Sequence, residues 1–213
     1  MPKGKFIVFE GINGCGKGTQ IKKLSGHIFD ENKGNTLFLT REPTNFSSHG
    51  KSAREMLAKD GNPYTNQIEA LHYFYLDRRD HNNIFAPLIN QGINVISDRY
   101  YHSTGAFQHA QGIPYGTIFA LNKKLNIKTP DLTFLIDTPV EIVFERLEKR
   151  DGDKRRKFDG NHEFMEKVRK NYLDLPKILP EIIDDNSIAV INGAGTPEEV
   201  FDRILTEYKK RFP

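Results

Sequence analysis

The chain has 213 residues, of which 37% are hydrophobic, and its 31 basic and 28 acidic side chains give a formal net charge of +3. The length suits a single domain over residues 1–213, and so small a charge does not indicate a nucleic-acid partner. No apolar run approaches the about 20 residues that cross a bilayer, the N-terminus lacks an apolar signal block, and one cysteine excludes an internal disulfide, so we expect a cytoplasmic protein.

The first predicted strand runs into a glycine-rich turn. Residues 6–9 are an apolar run typical of a buried parallel strand, and residues 11–17 match the pattern G-x-x-x-x-G-K. Glycines let successive N–H groups point inward, and the helix predicted over residues 17–29 adds its positive end. The pattern predicts a nucleotide-phosphate site; a turn that only joins strand to helix is the alternative. The residues predicted to surround the phosphates are Gly11, Asn13, Gly14, Cys15, Gly16, Lys17, Gly18 and Thr19.

Two positions in this loop are unusual. The pattern expects a Ser or Thr directly after Lys17, but Gly18 stands there and Thr19 follows one place later. A hydroxyl ligand to magnesium is therefore expected from Thr19, if from the loop at all. Cys15 is either a reactive thiol at a helix N-terminus or a small residue that fits the turn, and we favour the second interpretation.

A second strand, predicted over residues 36–40, is followed by Arg41. Pro43 ends the strand, so Arg41 would lie at its carboxyl end, where open α/β sheets bind ligands. A surface ion pair with Glu42 is the alternative.

A long helix is predicted over residues 65–91. Within it, Phe74 and Arg78 are four residues apart and so share one face. An aromatic ring and a guanidinium in this arrangement can hold a planar base, although an aromatic residue on a helix is more often part of the core.

The third strand, predicted over residues 93–97, runs into Asp98 and Arg99. An aspartate at the end of an apolar strand can hold magnesium or its water shell near Lys17, and the neighbouring arginine can neutralise phosphate charge. The alternative is that Asp98 and Arg99 only cap and pair locally.

The rest of the chain continues to alternate helices and strands. Further helices are predicted over residues 52–59, 103–110, 115–125, 141–148, 163–183 and 197–210, and further strands over 132–137 and 187–191. We expect Pro176 and Pro180 to break the helix at 163–183. Strands separated by helices predict a three-layer parallel α/β sheet.

The segment at 150–160 has five basic residues and almost no apolar ones. Such a run is most often solvated surface, and nucleic-acid binding is a weaker option. In a protein that transfers phosphate, it can also act as a lid that closes over ATP and brings in arginines.

Taken in order, these segments resemble the thymidylate kinase family over nearly the full length. The matching stretches are FEGINGCGKGTQ, TREPT, FYLDRRDH, SDRYYHSTGAFQ, PDLTFLIDTP and KFDG. The resemblance implies a P-loop kinase fold with a five-stranded parallel sheet flanked by helices. It also implies transfer of the γ-phosphoryl group of ATP to dTMP with Mg²⁺, commonly by a homodimer.

By this resemblance, Lys17 binds the ATP phosphates, Asp98 organises magnesium and water, and Arg99 and Arg41 hold the acceptor phosphate. Asn13 stands where the family often has an acidic residue at the sugar, and Asp159 replaces a more usual glutamate. The residues that match the base pocket are Phe74, Arg78, Ser103, Thr104 and Gln108, and those that match the lid are Arg150, Arg155 and Arg156.

Three other functions stay open at this point. Another nucleoside monophosphate kinase is one, because Gly18 followed by Thr19 is more similar to the loop of adenylate kinases. A deoxynucleoside kinase shares the loop and the lid but needs a carboxylate base, for which Glu10 is the obvious candidate. A non-catalytic nucleotide-dependent module could contact nucleic acid through residues 150–157, but it gives Arg41, Phe74 and Arg99 no purpose.

Overall fold

A computed structural model describes residues 3–58, 62–151 and 161–213. Within these ranges, five strands form one parallel sheet in the order β2-β3-β1-β4-β5. The strands are β1 (Phe6–Glu10), β2 (Leu37–Arg41), β3 (Asn94–Asp98), β4 (Leu132–Asp137) and β5 (Ile188–Asn192). The predicted five-stranded parallel α/β fold is therefore confirmed.

Helices connect the strands and flank the sheet. They are α1 (Lys17–Glu31), α2 (Ser48–Ala58), α3 (Gln67–Asn90), α4 (Tyr101–Ala110), α5 (Tyr115–Lys124), α6 (Val140–Asp151), α7 (His162–Ile183) and α8 (Pro197–Arg211). The predicted elements match these bounds to within a few residues. No helix in the described ranges is both long and apolar enough to span a membrane.

The predicted break in the helix after residue 163 is wrong. Helix α7 runs without interruption through Pro176 and Pro180. Its face that carries Leu175 and Leu179 is fully buried in the core. Burial of each leucine is worth about 1.5–3 kcal/mol, and several such residues together offset the about 3 kcal/mol that an internal proline costs.

The candidate site lies at the carboxyl ends of the strands, next to the central strand β1. All residues of β1 are buried, which explains the apolar run at 6–9 that precedes Glu10. Strand β1 pairs with β3 on one side and with β4 on the other. The chain goes from β1 to β2 at one edge and later from β3 across β1 to β4, so the crevice at this reversal lies outside the carboxyl end of β1. The register pairs Phe9 with Asp98 and Asp98 with Arg41, which brings the ends of three strands to this crevice.

Candidate active site

A cavity of about 790 Å³ opens at the carboxyl ends of β1, β2 and β3. It brings together almost all the site residues predicted from sequence. Those on its wall are Asn13, Gly14, Cys15, Gly16, Lys17, Gly18, Thr19, Arg41, Phe74, Arg78, Asp98, Arg99, Ser103, Thr104 and Gln108. Gly11 is buried behind the loop, where an added Cβ would approach the Ile136 carbonyl oxygen to 2.6 Å.

The predicted lid falls outside what the structure describes. Arg150 belongs to the last turn of α6, but its side chain is not described. Arg155, Arg156 and Asp159 lie in the undescribed range 152–160. Their roles stay predictions.

The phosphate loop curls around the side chain of Lys17. Gly14 and Gly16 have φ angles of 82° and 104°, which only glycine adopts at little cost. The Lys17 ammonium donates to the carbonyl oxygens of Gly11 at 2.9 Å and Ile12 at 3.0 Å. Burial lowers the pKa of Lys17, and the charge of Arg99 lowers it further. Within the described residues, no carboxylate forms an ion pair with Lys17, so an anion in the loop would meet a buried cation.

Asp98 ends β3 on the wall of the same cavity. Its Oδ1 atom is buried and has no hydrogen-bond partner within the described residues. A buried carboxylate oxygen without a donor is costly unless a cation or a water molecule reaches it. Local capping therefore does not account for Asp98.

Arg99 follows in a conformation that non-glycine residues rarely adopt, with φ at 76°. Such backbone geometry costs about 1–3 kcal/mol and persists where surrounding contacts impose it. The guanidinium donates to Asn13 Oδ1 at 2.6 Å, Ser103 Oγ at 2.9 Å and Tyr172 Oη at 3.0 Å. Burial, which opposes its charge, is outweighed by Tyr172 and Glu10, so the pKa of Arg99 is raised.

Arg78 lies at the other end of the cavity and is almost fully buried. Its Nε donates to Glu42 Oε2 at 2.8 Å and its Nη2 donates to Thr104 Oγ1 at 3.1 Å. The Nη1 atom is buried without a partner within the described residues. Burial opposes the charge of Arg78, but Glu42 outweighs this effect and raises its pKa.

Gln108, which lines the same cavity, also has a buried atom without a partner. Its Oε1 has no hydrogen-bond partner in the described part of the chain, while its Nε2 donates to Gln111 Oε1 at 3.0 Å. Gln111 in turn donates through Nε2 to the Pro63 carbonyl oxygen. The Pro63 carbonyl can only accept, so it fixes the orientation of the Gln111 amide, and Gln111 Oε1 in turn fixes the orientation of the Gln108 amide. The Gln108 atom without a partner is therefore the oxygen, which is an acceptor.

Two alternatives from the sequence do not fit this geometry. The Glu42 carboxylate is bound by Arg78 and by His81 Nδ1 at 2.9 Å. Arg41 is exposed on the cavity wall and does not form the surface ion pair with Glu42 that was the alternative. Glu10, the candidate base of a deoxynucleoside kinase, is fully buried, and each of its oxygens accepts two hydrogen bonds. It has no room for a substrate hydroxyl.

Sequence reasoning missed part of the wall. Arg54 on α2 lines the cavity and donates to the carbonyl oxygens of Pro43 and Thr44. The sequence feature that could have indicated Arg54 is that it is a basic residue in the first helix after Arg41. Gly193 and Pro197 also line the cavity, and their signal was the glycine turn at the carboxyl end of β5. The other lining residues that were not predicted as site residues are Gln20, Lys22, Glu42, Pro43, Leu57, Tyr100, Phe107, Arg146, Leu147, Gly195 and Val200.

These features, a phosphate loop joined to a buried pocket through one cavity, agree with comparisons to known proteins. The thymidylate kinase family model matches residues 9–204. The chain belongs to the thymidylate kinase family. A protein from Thermococcus kodakarensis named as a probable thymidylate kinase is 36% identical over 208 residues, which cover 94% of this chain and 95% of that relative. A thymidylate kinase from Desulfotalea psychrophila is 38% identical over 178 residues, covering 82% of this chain and 84% of its own.

The fold agrees with the same family. The crystal structure of thymidylate kinase from Ehrlichia chaffeensis matches this structure with a TM-score of 0.74 at 28% identity, and the match covers 97% of this chain and 100% of that chain. The resemblance stated from sequence is therefore confirmed, as is the assignment of the chain as an ATP-dependent nucleoside monophosphate kinase. The roles of individual residues in this thymidylate kinase family member stay predictions.

Proposed function

We propose that the protein transfers the γ-phosphoryl group of ATP to dTMP, giving dTDP and ADP. The observation that carries this proposal is that Arg78 and Gln108, on the cavity wall that also carries Lys17, each have a buried atom, Nη1 and Oε1, with no hydrogen-bond partner among the described residues. One end of the cavity suits phosphate groups and the other end suits a base.

The pair favours a thymine or uracil edge. Such an edge presents a carbonyl acceptor beside an N–H donor, which complements one buried donor and one buried acceptor. Cytosine and adenine present the reverse order, an exocyclic amino donor beside a ring-nitrogen acceptor. The preference for thymine therefore requires that Arg78 Nη1 faces the exocyclic position of the base, where a guanidinium cannot accept from an amino group. A site that leaves buried polar groups unpaired rejects the wrong ligand strongly. Phe74, half-buried on the cavity wall, is the proposed stacking partner of the base.

The phosphate groups meet between the two ends. Lys17 and the loop amides would hold the donor phosphates, while Arg99 and Arg41 would hold the acceptor phosphate in line. Ser103 and Thr104 line the acceptor end, and Asn13 is the proposed contact to the sugar. The acceptor phosphate oxygen is already a nucleophile near neutral pH, so no general base is required.

The residues present fit a magnesium ion bound with the nucleotide. Magnesium prefers oxygen ligands and usually takes one or two carboxylates together with phosphate oxygens and water, and Asp98 Oδ1 is a carboxylate oxygen without a partner. Thr19 on the cavity wall is the hydroxyl that the loop can offer as a second ligand, because Gly18 occupies the usual hydroxyl position. When bound, the ion supplies charge neutralisation at the transferring phosphoryl group. In the described ranges, no group of three or more His, Cys, Asp or Glu side chains is arranged to hold a metal ion by itself.

The resemblance adds further proposals. We propose a single domain over residues 1–213, a homodimer, a cytoplasmic location, and a lid that contributes Arg150, Arg155 and Arg156. Light scattering at several concentrations tests the dimer, and a mass equal to one chain throughout contradicts it.

The proposed function is tested by incubating the protein with ATP, Mg²⁺ and either dTMP or thymidine. We expect ADP release with dTMP and none above background with thymidine. Phosphorylation of thymidine alone would support the deoxynucleoside kinase. ATP binding without consumption of either acceptor, together with salt-sensitive binding to DNA or RNA, would support the non-catalytic module.

A further inference from the structure

The guanidinium of Arg99 is surrounded by oxygen atoms at hydrogen-bond distance, but the Glu10 carboxylate lies farther away. Its Nη1 atom lies 2.9 Å from Ser103 Oγ and 3.0 Å from Tyr172 Oη, whereas Glu10 Oε2 is 4.0 Å away. The backbone is also fixed, because the Arg99 N–H donates to the Phe9 carbonyl at 2.9 Å. The two hydroxyls thus stand between the cation and the anion.

The direction of each hydrogen bond follows from the chemistry of the groups. A guanidinium can only donate, and an ionised carboxylate can only accept. Ser103 Oγ lies 2.7 Å from Glu10 Oε2, and Tyr172 Oη lies 3.0 Å from the same atom. Both hydroxyls therefore accept from Arg99. They also lie 2.9 Å from each other, so either both donate to Glu10, or one donates to the other and that one donates to Glu10.

Glu10 can impose this direction because it is fixed. It is fully buried, and its Oε1 accepts from the N–H groups of Tyr100 at 2.7 Å and Ser103 at 3.2 Å, at the start of α4. Burial, and next the charge of Glu10, raise the pKa of Tyr172 well above its ordinary value, so the phenol keeps the proton that it donates. The arrangement orients Arg99 without a direct ion pair that would occupy its donors.

We propose that Tyr172 and Glu10 are positioning residues that hold the Arg99 guanidinium towards the acceptor phosphate through two relayed hydroxyl hydrogen bonds. Neither residue lines the cavity, so both act on the reaction through Arg99. This inference rests on the proposed function, in which Arg99 contacts the acceptor phosphate. It assigns to Glu10 an orienting role in place of the general-base role that a deoxynucleoside kinase would need.

The first test is Tyr172→Phe, which keeps the buried ring and removes only the hydroxyl. We expect kcat to fall by about 10- to 100-fold, because misplacement of a catalytic group by about 1 Å has effects of this size. The dissociation constant of an unreactive ATP analogue should stay unchanged. The matched control is Tyr208→Phe, which removes a buried hydroxyl that accepts from Lys5 Nζ at 3.2 Å on the α8 side of the fold. It should leave kcat unchanged.

The second test combines Tyr172→Phe with Arg99→Ala in a double-mutant cycle. If Tyr172 acts through Arg99, the double variant has the kcat of Arg99→Ala alone. Additive losses overturn the inference, as does a wild-type kcat in Tyr172→Phe. Turnover of dTMP by the wild-type protein tests the proposed function separately: an active wild type with an unaffected Tyr172→Phe variant overturns only this inference, and an inactive wild type overturns both.

Discussion

Replacement of Arg99 by alanine tests the catalytic half of the site. The guanidinium is held by the neutral oxygens of Asn13, Ser103 and Tyr172, and no carboxylate forms a direct hydrogen bond with it among the described residues. Its charge is therefore available to the acceptor phosphate. A hydrogen bond to a charged group is worth about 1.5–3 kcal/mol, so two that form fully only in the transition state correspond to about 3–6 kcal/mol. At about 1.4 kcal/mol for each factor of ten, kcat should fall by about 10²- to 10⁴-fold.

The same substitution should hardly affect the binding of ATP. Lys17 and the loop amides would remain in place, and loss of the Arg99 charge would relieve a repulsion that lowers the pKa of Lys17. We expect the dissociation constant of an unreactive ATP analogue, measured by calorimetry, to change by less than about threefold. Arg99→Lys is the control, because it keeps the charge but loses the planar guanidinium. Its kcat should lie between those of the wild type and Arg99→Ala. Equal losses in kcat and in ATP affinity would refute this account of Arg99.

Three further predictions concern the base pocket, the loop and the core. Arg78→Lys should raise the KM for dTMP by about 10- to 100-fold with little change in the KM for ATP, because an ammonium cannot bind Glu42 and a base edge in the same geometry. Similar rises in both KM values in steady-state assays would count against a role of Arg78 in base binding. Gly11→Ala should lower the free energy of unfolding by about 2 kcal/mol or more and abolish ATP binding, because the new Cβ would lie 2.6 Å from the Ile136 carbonyl oxygen. Gly18→Ala, which has open space around the new Cβ, should keep wild-type stability and ATP binding. Equal effects of the two substitutions in thermal unfolding would contradict this. Asp185→Asn should destabilise the protein by about 3 kcal/mol at pH 7. Burial opposes ionisation of Asp185, but hydrogen bonds from His102, Tyr101 and Ser187 outweigh it and lower its pKa, so its stabilisation is present above about pH 4 and is lost as the pH falls below that. The difference from wild type in urea unfolding should therefore shrink in acid, and a constant difference would argue against the carboxylate.

The phosphate loop and the end of β3 could be predicted from sequence because their signals are local. Glycine spacing fixes where the backbone turns, and an apolar run followed by Asp98 fixes what stands at the edge of the sheet. The same holds for Phe74 and Arg78, whose separation alone places them on one face of α3. Alternation of strands and helices predicts a parallel sheet, but it does not predict the order β2-β3-β1-β4-β5.

The rest depends on contacts between residues far apart in the sequence. Nothing near Tyr172 indicates that its hydroxyl reaches Glu10, which lies 162 positions earlier. The prolines of α7 look like helix breakers until the burial of Leu175 and Leu179 is known. Arg54 could not be told from a solvated basic residue because its place on the cavity wall is set by the packing of α2 against α3.

The central claim is that this member of the thymidylate kinase family accepts dTMP, and a panel of acceptors tests it most directly. ADP release would be measured with ATP, Mg²⁺ and, in turn, dTMP, dCMP, dAMP and AMP, and kcat/KM would be compared. The buried donor of Arg78 and the buried acceptor of Gln108 predict the highest kcat/KM for dTMP, by a factor of about 10³ or more over acceptors whose base presents the reversed pattern. A higher kcat/KM for dCMP, dAMP or AMP than for dTMP would contradict the account.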